Sequence, residues 1–373
     1  MIPPVIQYLS EISFAPGALG VLPDLLKKFS VTNPLVVSDR GLTSLGIVEQ
    51  LRAGKPPVFD QVETNPSEAS AVLGLEMYRQ HGCDGIVAVG GGSPIDCAKC
   101  IGLLVCHPQP LSDYAFINGG LPKITANRPP LIAIPTTAGT GSEVGRAALV
   151  SMMNGRKLAI ISPHMIPNAV ICDPNLTLGL PKSLTAATGM DAIAHCVETY
   201  CSPRFNPVTD AIALDGLARA CANIREAVRD GLNLTARSEM MMAALEGGLT
   251  FQKGLGLVHS LSHALGGLQG KRLHHGTLNA IFLPHVLRFN MEACPDKMQK
   301  LAEVVGVAGP TALPAFFEAL NSEIGLPGRL CDMGVRKEDL APMAEFALQD
   351  HSSATNPRPI TLEVCRQMYE DSL

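Results

Sequence analysis

Residues 85–100, GIVAVGGGSPIDCAKC, limit the possible folds more than any other stretch of the chain. A short apolar run leads straight into three glycines and then into a helix start. Such a run reads as a strand buried on both faces, the habit of parallel sheets covered by helices. The glycines let backbone N–H groups approach an anion at the positive end of the next helix. Ser93 suits the N-cap, Pro94 the first helical position and Asp96 the third. The spacing is not GxGxxG, so the usual Rossmann fingerprint is absent. The same turn also suits a tight βα connection with no ligand.

The flanking sequence repeats the theme. VIQYLSEISF (5–14) reads as an opening strand and 17–29 as a helix. PLVVSD (34–39) is a β-rich run ending at Asp39, and a helical pattern covers 66–81. PLIAIP (130–135) is another buried strand, running into TTAGTGSE (136–143). The hydroxyls and N–H groups of that second loop suit a pyrophosphate or ribose. Two such loops at strand ends fit a dinucleotide in the crevice of an open α/β sheet. Asp39, also at a strand end, suits either a ribose 2′-OH or an ordinary turn. Asn154-Gly155, between two apolar runs, is a two-residue hairpin signal, and NAVICDP is one more strand. After about Leu180 the strands stop. Helical patterns then cover 182–201, 207–229, 234–268, 276–292, 296–305, 310–323 and 337–350. The expectation is an α/β N-terminal dinucleotide-binding domain with a mostly parallel sheet over 1–180, and an all-α C-terminal domain over 181–373.

The net charge of −5 is spread without like-charge blocks, which argues against nucleic acid or an anionic membrane as partner. No apolar window reaches the ~18 residues of a membrane span. MIPPVIQYLS has neither the basic start nor the apolar run of a signal peptide. A cytoplasmic protein is expected. The 11 cysteines are scattered through apolar stretches rather than set out as a disulfide framework. Cys97 and Cys100 form a lone CxxC, read as two buried thiols on one helix.

Residues 251–276, FQKGLGLVHSLSHALGGLQGKRLHHG, hold four of the 10 histidines. His259 and His263 share one helical face, and His275 follows a Gly-rich break. Upstream, Asp191 and His195 are likewise four apart. One carboxylate and three imidazoles suit Fe²⁺, Zn²⁺ or another borderline divalent ion. Each residue alone also has a bland reading, as a helix cap or a satisfied core histidine.

GGGSPIDCAK, PTTAGTGSE, GMDAIAH, GLGLVHSLSHALGG and HHGTLNAIFLPHVLRFN together resemble the iron-containing, or group III, alcohol dehydrogenase family. The resemblance implies a dehydroquinate synthase-like fold with the metal in the cleft between two domains, NAD as cofactor, Fe²⁺ (or Zn²⁺) as the ion, and a dimer or larger homo-oligomer. It implies Asp191, His195, His259 and His275 as ligands, with His275 preferred to His274 because the family's ligand directly precedes Gly. His263 matches a proton-relay histidine. Gly91, Gly92, Ser93, Thr136, Thr137 and Thr140 match pyrophosphate and ribose contacts, Asp96 joins that set, and Asp39 matches the position that goes with NAD preference. Arg146 and Lys253 stand where many relatives are neutral and suit a carboxylate on the substrate. EVGRAAL, FQKGLG and LHHGTLNA resemble the 4-hydroxybutyrate dehydrogenase branch, which implies a short ω-hydroxy acid and its aldehyde as substrates. A general alcohol or diol dehydrogenase, a dehydroquinate-synthase-like lyase and a non-enzymatic dinucleotide sensor are the rival readings.

Overall fold

The computed structural model describes residues 8, 10–51, 55–153, 155–268, 270, 271 and 273–373. By contacts these divide into two units. One holds 8–137 and 142–177, and the other 138–141 and 178–373.

In the first unit, strands alternate with helices: β1 Glu11–Phe14, α1 Leu22–Lys28, β2 Pro34–Val37, α2 Arg40–Ser44, β3 Val58–Phe59, α3 Glu68–Gln80, β4 Gly85–Gly90, α4 Gly92–Cys106, β5 Leu131–Pro135, β6 Ala147–Ser151, β7 Lys157–Ile161 and β8 Ala169–Cys172. One sheet runs in the order β1-β8-β5-β4-β2-β3, with every pair parallel. β4 shows why its sequence is apolar throughout. Ile86 and Ala88 pack into a core with Leu75 and Ile101 of α3 and α4. Val87 and Val89 pack into another, with Leu22 and Leu25 of α1. The chain leaves β2 for β3 at the sheet edge, then returns to β4 on the other side of β2. The carboxyl ends of β2 and β4 therefore flank the switch point where open α/β sheets take ligands.

One local detail departs from expectation. α4 begins at Gly92 with Gly91 as its N-cap, ahead of the expected Ser93 cap. Gly90 sits at φ 149°, and a Cβ there would lie 2.6 Å from Pro94 Cγ, so the turn closes against the proline ring and the helix starts before it. The missing N–H of Pro94 falls in a first turn that has no intrahelical partner to lose. β6 and β7 pair antiparallel from Ala147↔Ile161 to Ser151↔Lys157; Asn154, on which the hairpin-turn expectation falls, lies outside the described residues, as do 5–7 and 9 of the expected opening strand.

The second unit is helical: α5 Lys182–Cys201, α6 Pro207–Arg229, α7 Leu234–Leu249, α8 Leu257–Gly266, α9 His275–Asn290, α10 Pro295–Val305, α11 Leu313–Glu323, α12 Lys337–Gln349 and α13 Leu362–Asp371. α5 is buried along most of its length and packs on α6, α7 and α9. The single helix expected over 234–268 is broken. Gly254 takes φ 82°, and a Cβ there would lie 2.4 Å from Thr355 Oγ1. The chain turns, and α8 starts afresh two residues before His259. No helix among the described residues is long and apolar enough to cross a membrane.

Candidate functional site

Three helices converge on one carboxylate oxygen. α5 carries Asp191 and His195 one turn apart, with His195 Nε2 3.4 Å from Asp191 Oδ1. α8 brings His259 Nε2 to 3.6 Å from the same oxygen, and α9 brings His275 Nε2 to 3.5 Å. Four donors around a tetrahedral ion stand about 3.3 Å apart, given bonds of about 2.0–2.1 Å, so this set fits a divalent metal. Burial pushes the Asp191 carboxyl up, but the His195, His275 and His259 imidazoles together hold it well below the usual carboxylate range. Burial pulls His195 down to about 4, against the attraction of Asp191. The side chain of His275 is 25% exposed while that of Asp191 is 3% exposed, so the cluster opens on the His275 side. His275 reaches Asp191 because its neighbour is glycine: a Cβ at Gly276 would lie 2.0 Å from Ala187 O, so only a bare backbone lets α9 approach α5 this closely.

Three residues that the sequence reading missed complete the arrangement. Glu198, one turn beyond His195 on α5, accepts from His259 Nδ1 at 2.6 Å and from the backbone N–H of Val258 at 2.6 Å. It thereby caps α8 and holds the His259 ring by Nδ1, so that Nε2 is directed at Asp191. A carboxylate on an otherwise apolar helix was the available signal, since a buried charge requires a partner. Asn279 donates from Nδ2 to Asp191 Oδ1 at 2.7 Å. Asp350 accepts from His263 Nδ1 at 3.1 Å, while the His263 ring lies against those of His259 and His275.

Lys253 requires a correction. Its side chain is 1% exposed, and its ammonium is held by the Asp210 carboxylate and the Tyr200 carbonyl. A cation engaged in this way is not available to a substrate carboxylate.

In the α/β unit, Asp39 lies two residues past β2 and caps α2, with Oδ1 accepting from Leu42 N at 3.0 Å. The loops after β4 and β5 touch: Thr136 N donates to Gly90 O at 3.0 Å, and a Cβ on Gly91 would lie 3.3 Å from the Thr137 side chain. Ser93 Oγ accepts from Asn65 N at 3.2 Å, and Asn65 Oδ1 accepts from Lys157 Nζ at 2.7 Å. Lys157, on a strand the sequence reading treated only as half of a hairpin, thus sets a cation beside the glycine turn. Thr140 falls in the 138–141 segment, which belongs by contacts to the helical unit. Arg146 opens the hairpin, its carbonyl accepting from Ser162 N at 3.0 Å.

Asp96 is the second correction. Its carboxylate accepts from Ser142 Oγ at 2.5 Å and Leu149 N at 2.9 Å. Lys99 Nζ, one turn on, donates to Ser142 Oγ, Gly145 O and Ala147 O. The pair tethers the chain after β5, and its charged atoms are taken up within the protein. Glu143 is buried in the same cluster. Burial pushes its carboxyl up to about 7, against the pull of Lys99. The native state therefore keeps a proton that the unfolded chain releases near pH 4.5, and stability falls as pH rises from there through about 7. Glu143→Gln should raise the unfolding midpoint at about pH 8 and leave it unchanged near pH 4. Thermal melts at both values measure this, and an equal gap at both would refute it.

Comparison with known proteins agrees with this geometry. A family profile described as iron-containing alcohol dehydrogenase matches residues 10–174, and the Fe-containing alcohol dehydrogenase family C-terminal profile matches 185–373. The chain is 45% identical to 4-hydroxybutyrate dehydrogenase of Cupriavidus necator, over 99% of both chains. Among solved structures it resembles a 1,3-propanediol oxidoreductase, at TM-score 0.93 and 38% identity over 99% of this chain and 100% of that one. It also resembles sulfoacetaldehyde reductase from Bifidobacterium kashiwanohense in complex with NAD+, at TM-score 0.90 and 26% identity over 100% of this chain and 99% of that one.

Proposed function

The chain belongs to the iron-containing alcohol dehydrogenase family, and from that premise we propose an NAD-linked enzyme that interconverts 4-hydroxybutyrate, or a similar short ω-hydroxy acid, and its aldehyde. The observation that carries the dehydrogenase reading is the single Asp191 oxygen ringed by three imidazole nitrogens from three helices. Asp191, His195, His259 and His275 hold Fe²⁺. In the α/β unit, the backbone of Gly91 and Gly92 and the hydroxyls of Ser93, Thr136 and Thr137 hold pyrophosphate and ribose, with Lys157 adding positive charge. Asp39 accepts from the adenosine ribose and disfavours a 2′-phosphate, which selects NAD.

When bound, the ion would supply Lewis acidity at the substrate oxygen and NAD⁺ would supply the hydride acceptor. The protein supplies the rest. Asp191 offsets one charge of the ion, and the more exposed His275 side leaves room for substrate. Asp350 engages His263 at Nδ1 and leaves Nε2 to take the proton of the alcohol. Full-length similarity to a 4-hydroxybutyrate dehydrogenase supports the acid substrate, and Arg146 is assigned to the carboxylate.

NADH formation by iron-loaded enzyme tests the reading, with 4-hydroxybutyrate, 1,3-propanediol and 1-propanol compared in the parent and in Arg146→Ala. The parent should favour the hydroxy acid by about tenfold or more in kcat/KM. Arg146→Ala should raise KM for the acid and leave the diol almost unchanged. Preference for 1,3-propanediol would instead make this a diol dehydrogenase, in keeping with the 38% identity to a 1,3-propanediol oxidoreductase. Equal losses on all three substrates would remove Arg146 from the carboxylate site.

A further inference from the structure

A second set of ligating side chains converges beside the Asp191 cluster. His263 on α8, and Asp350 and His351 just past α12, each bring one ligating atom within 4.8 Å of the others. His263 Nδ1 is 3.1 Å from Asp350 Oδ2, and His351 Nδ1 is 3.5 Å from Asp350 Oδ1. Each imidazole thus faces its own oxygen of the one carboxylate, at a separation close to the roughly 3.3 Å between neighbouring donors on zinc. The two rings stack at 5.7 Å and 17°, so their Nδ1 edges face the same carboxylate. Asp350 is fixed in place, since Oδ1 also accepts from Ser352 N at 2.8 Å.

We propose that His263, Asp350 and His351 form a second, exchangeable site for Zn²⁺ or a similar borderline divalent cation, and that filling it inhibits the enzyme. Two imidazoles and one carboxylate are a donor set that such ions accept with water in the remaining positions. Exposure of the side chains rises from 6% at His263 to 15% at Asp350 and 19% at His351, so the set opens to solvent through His351. The Asp191 cluster, by contrast, buries three of its four ligands. Exchange should therefore be faster at the second site.

Binding stands on these three residues alone; the inhibitory consequence rests on the role of His263 given above. A cation on Nδ1 requires the Nε2–H tautomer. Nε2 then has no lone pair to receive the proton of the alcohol, although the Asp191 cluster is untouched.

The test is a Zn²⁺ titration of enzyme carrying one iron per chain. Elemental analysis should show about one further zinc per chain with iron retained, and activity should fall about tenfold or more. His351→Ala should keep the zinc-free activity and need at least about tenfold more zinc for half-inhibition. His351→Asn, closer in size, should behave like the alanine variant, and His351→Asp, which restores a ligand, should recover zinc sensitivity. Co²⁺ added to the iron-loaded parent should give visible ligand-field bands that His351→Ala lacks. Zinc uptake at the expense of iron would overturn the proposal, as would equal zinc inhibition and equal cobalt spectra in parent and His351→Ala. An iron-loaded parent without dehydrogenase activity would refute the catalytic reading, while zinc counts and cobalt spectra would still decide the site.

Discussion

Asp191→Asn is expected to leave the protein folded, to cut its iron content to less than about a tenth, and to lower kcat/KM by about a thousandfold or more. Asparagine keeps the shape and the oxygen that accepts from Asn279 Nδ2 at 2.7 Å. What it loses is the one negative charge among three neutral donors. Asp191 is the member that touches all the others, with Nε2 atoms at 3.4, 3.5 and 3.6 Å from one oxygen. Removing that charge is therefore worse than removing one imidazole. Elemental analysis and single-substrate kinetics measure both effects together. Because the four ligands act as a unit, adding His275→Ala to Asp191→Asn should lower activity little further. Iron retained at parental levels would place the ion elsewhere.

The sequence could carry the sheet because burial on both faces is written directly into GIVAV and PLIAIP. It could carry Asp191 with His195, because a spacing of four is one helical turn. It could not carry distant pairing. Lys253 finds Asp210 across 43 positions, and Asp96 finds Ser142 across 46. No local pattern marks Asp210 or Ser142 as the partner, so Lys253 and Asp96 both looked available for ligands. The break between α7 and α8 has the same cause. Residues 234–268 are periodic enough for one helix, but the contact that requires Gly254 to turn is made by Thr355. That break gives α8 a new N-terminus, and the new N-terminus explains Glu198.

Glu198→Ala should destabilise the protein by about 3–5 kcal/mol and weaken metal binding by about 10–100-fold. The first effect follows from donors left buried. Oε1 accepts from Val258 N at 2.6 Å, and Oε2 from His259 N at 3.4 Å and His259 Nδ1 at 2.6 Å. No water replaces the lost carboxylate where the residue is 4% exposed. Glu198→Gln separates the two effects. Its amide oxygen still accepts from the α8 N-terminus, so most of the stability should remain. Its NH₂ group, however, meets His259 Nδ1–H donor to donor. The imidazole escapes by moving its proton to Nε2, the atom that lies 3.6 Å from Asp191 and must offer a lone pair to the metal. Metal affinity in Glu198→Gln should therefore fall about as far as in Glu198→Ala, while the melting temperature falls much less. If the glutamine variant instead keeps its metal and only the alanine variant suffers, Glu198 is a helix cap and sets no tautomer at His259.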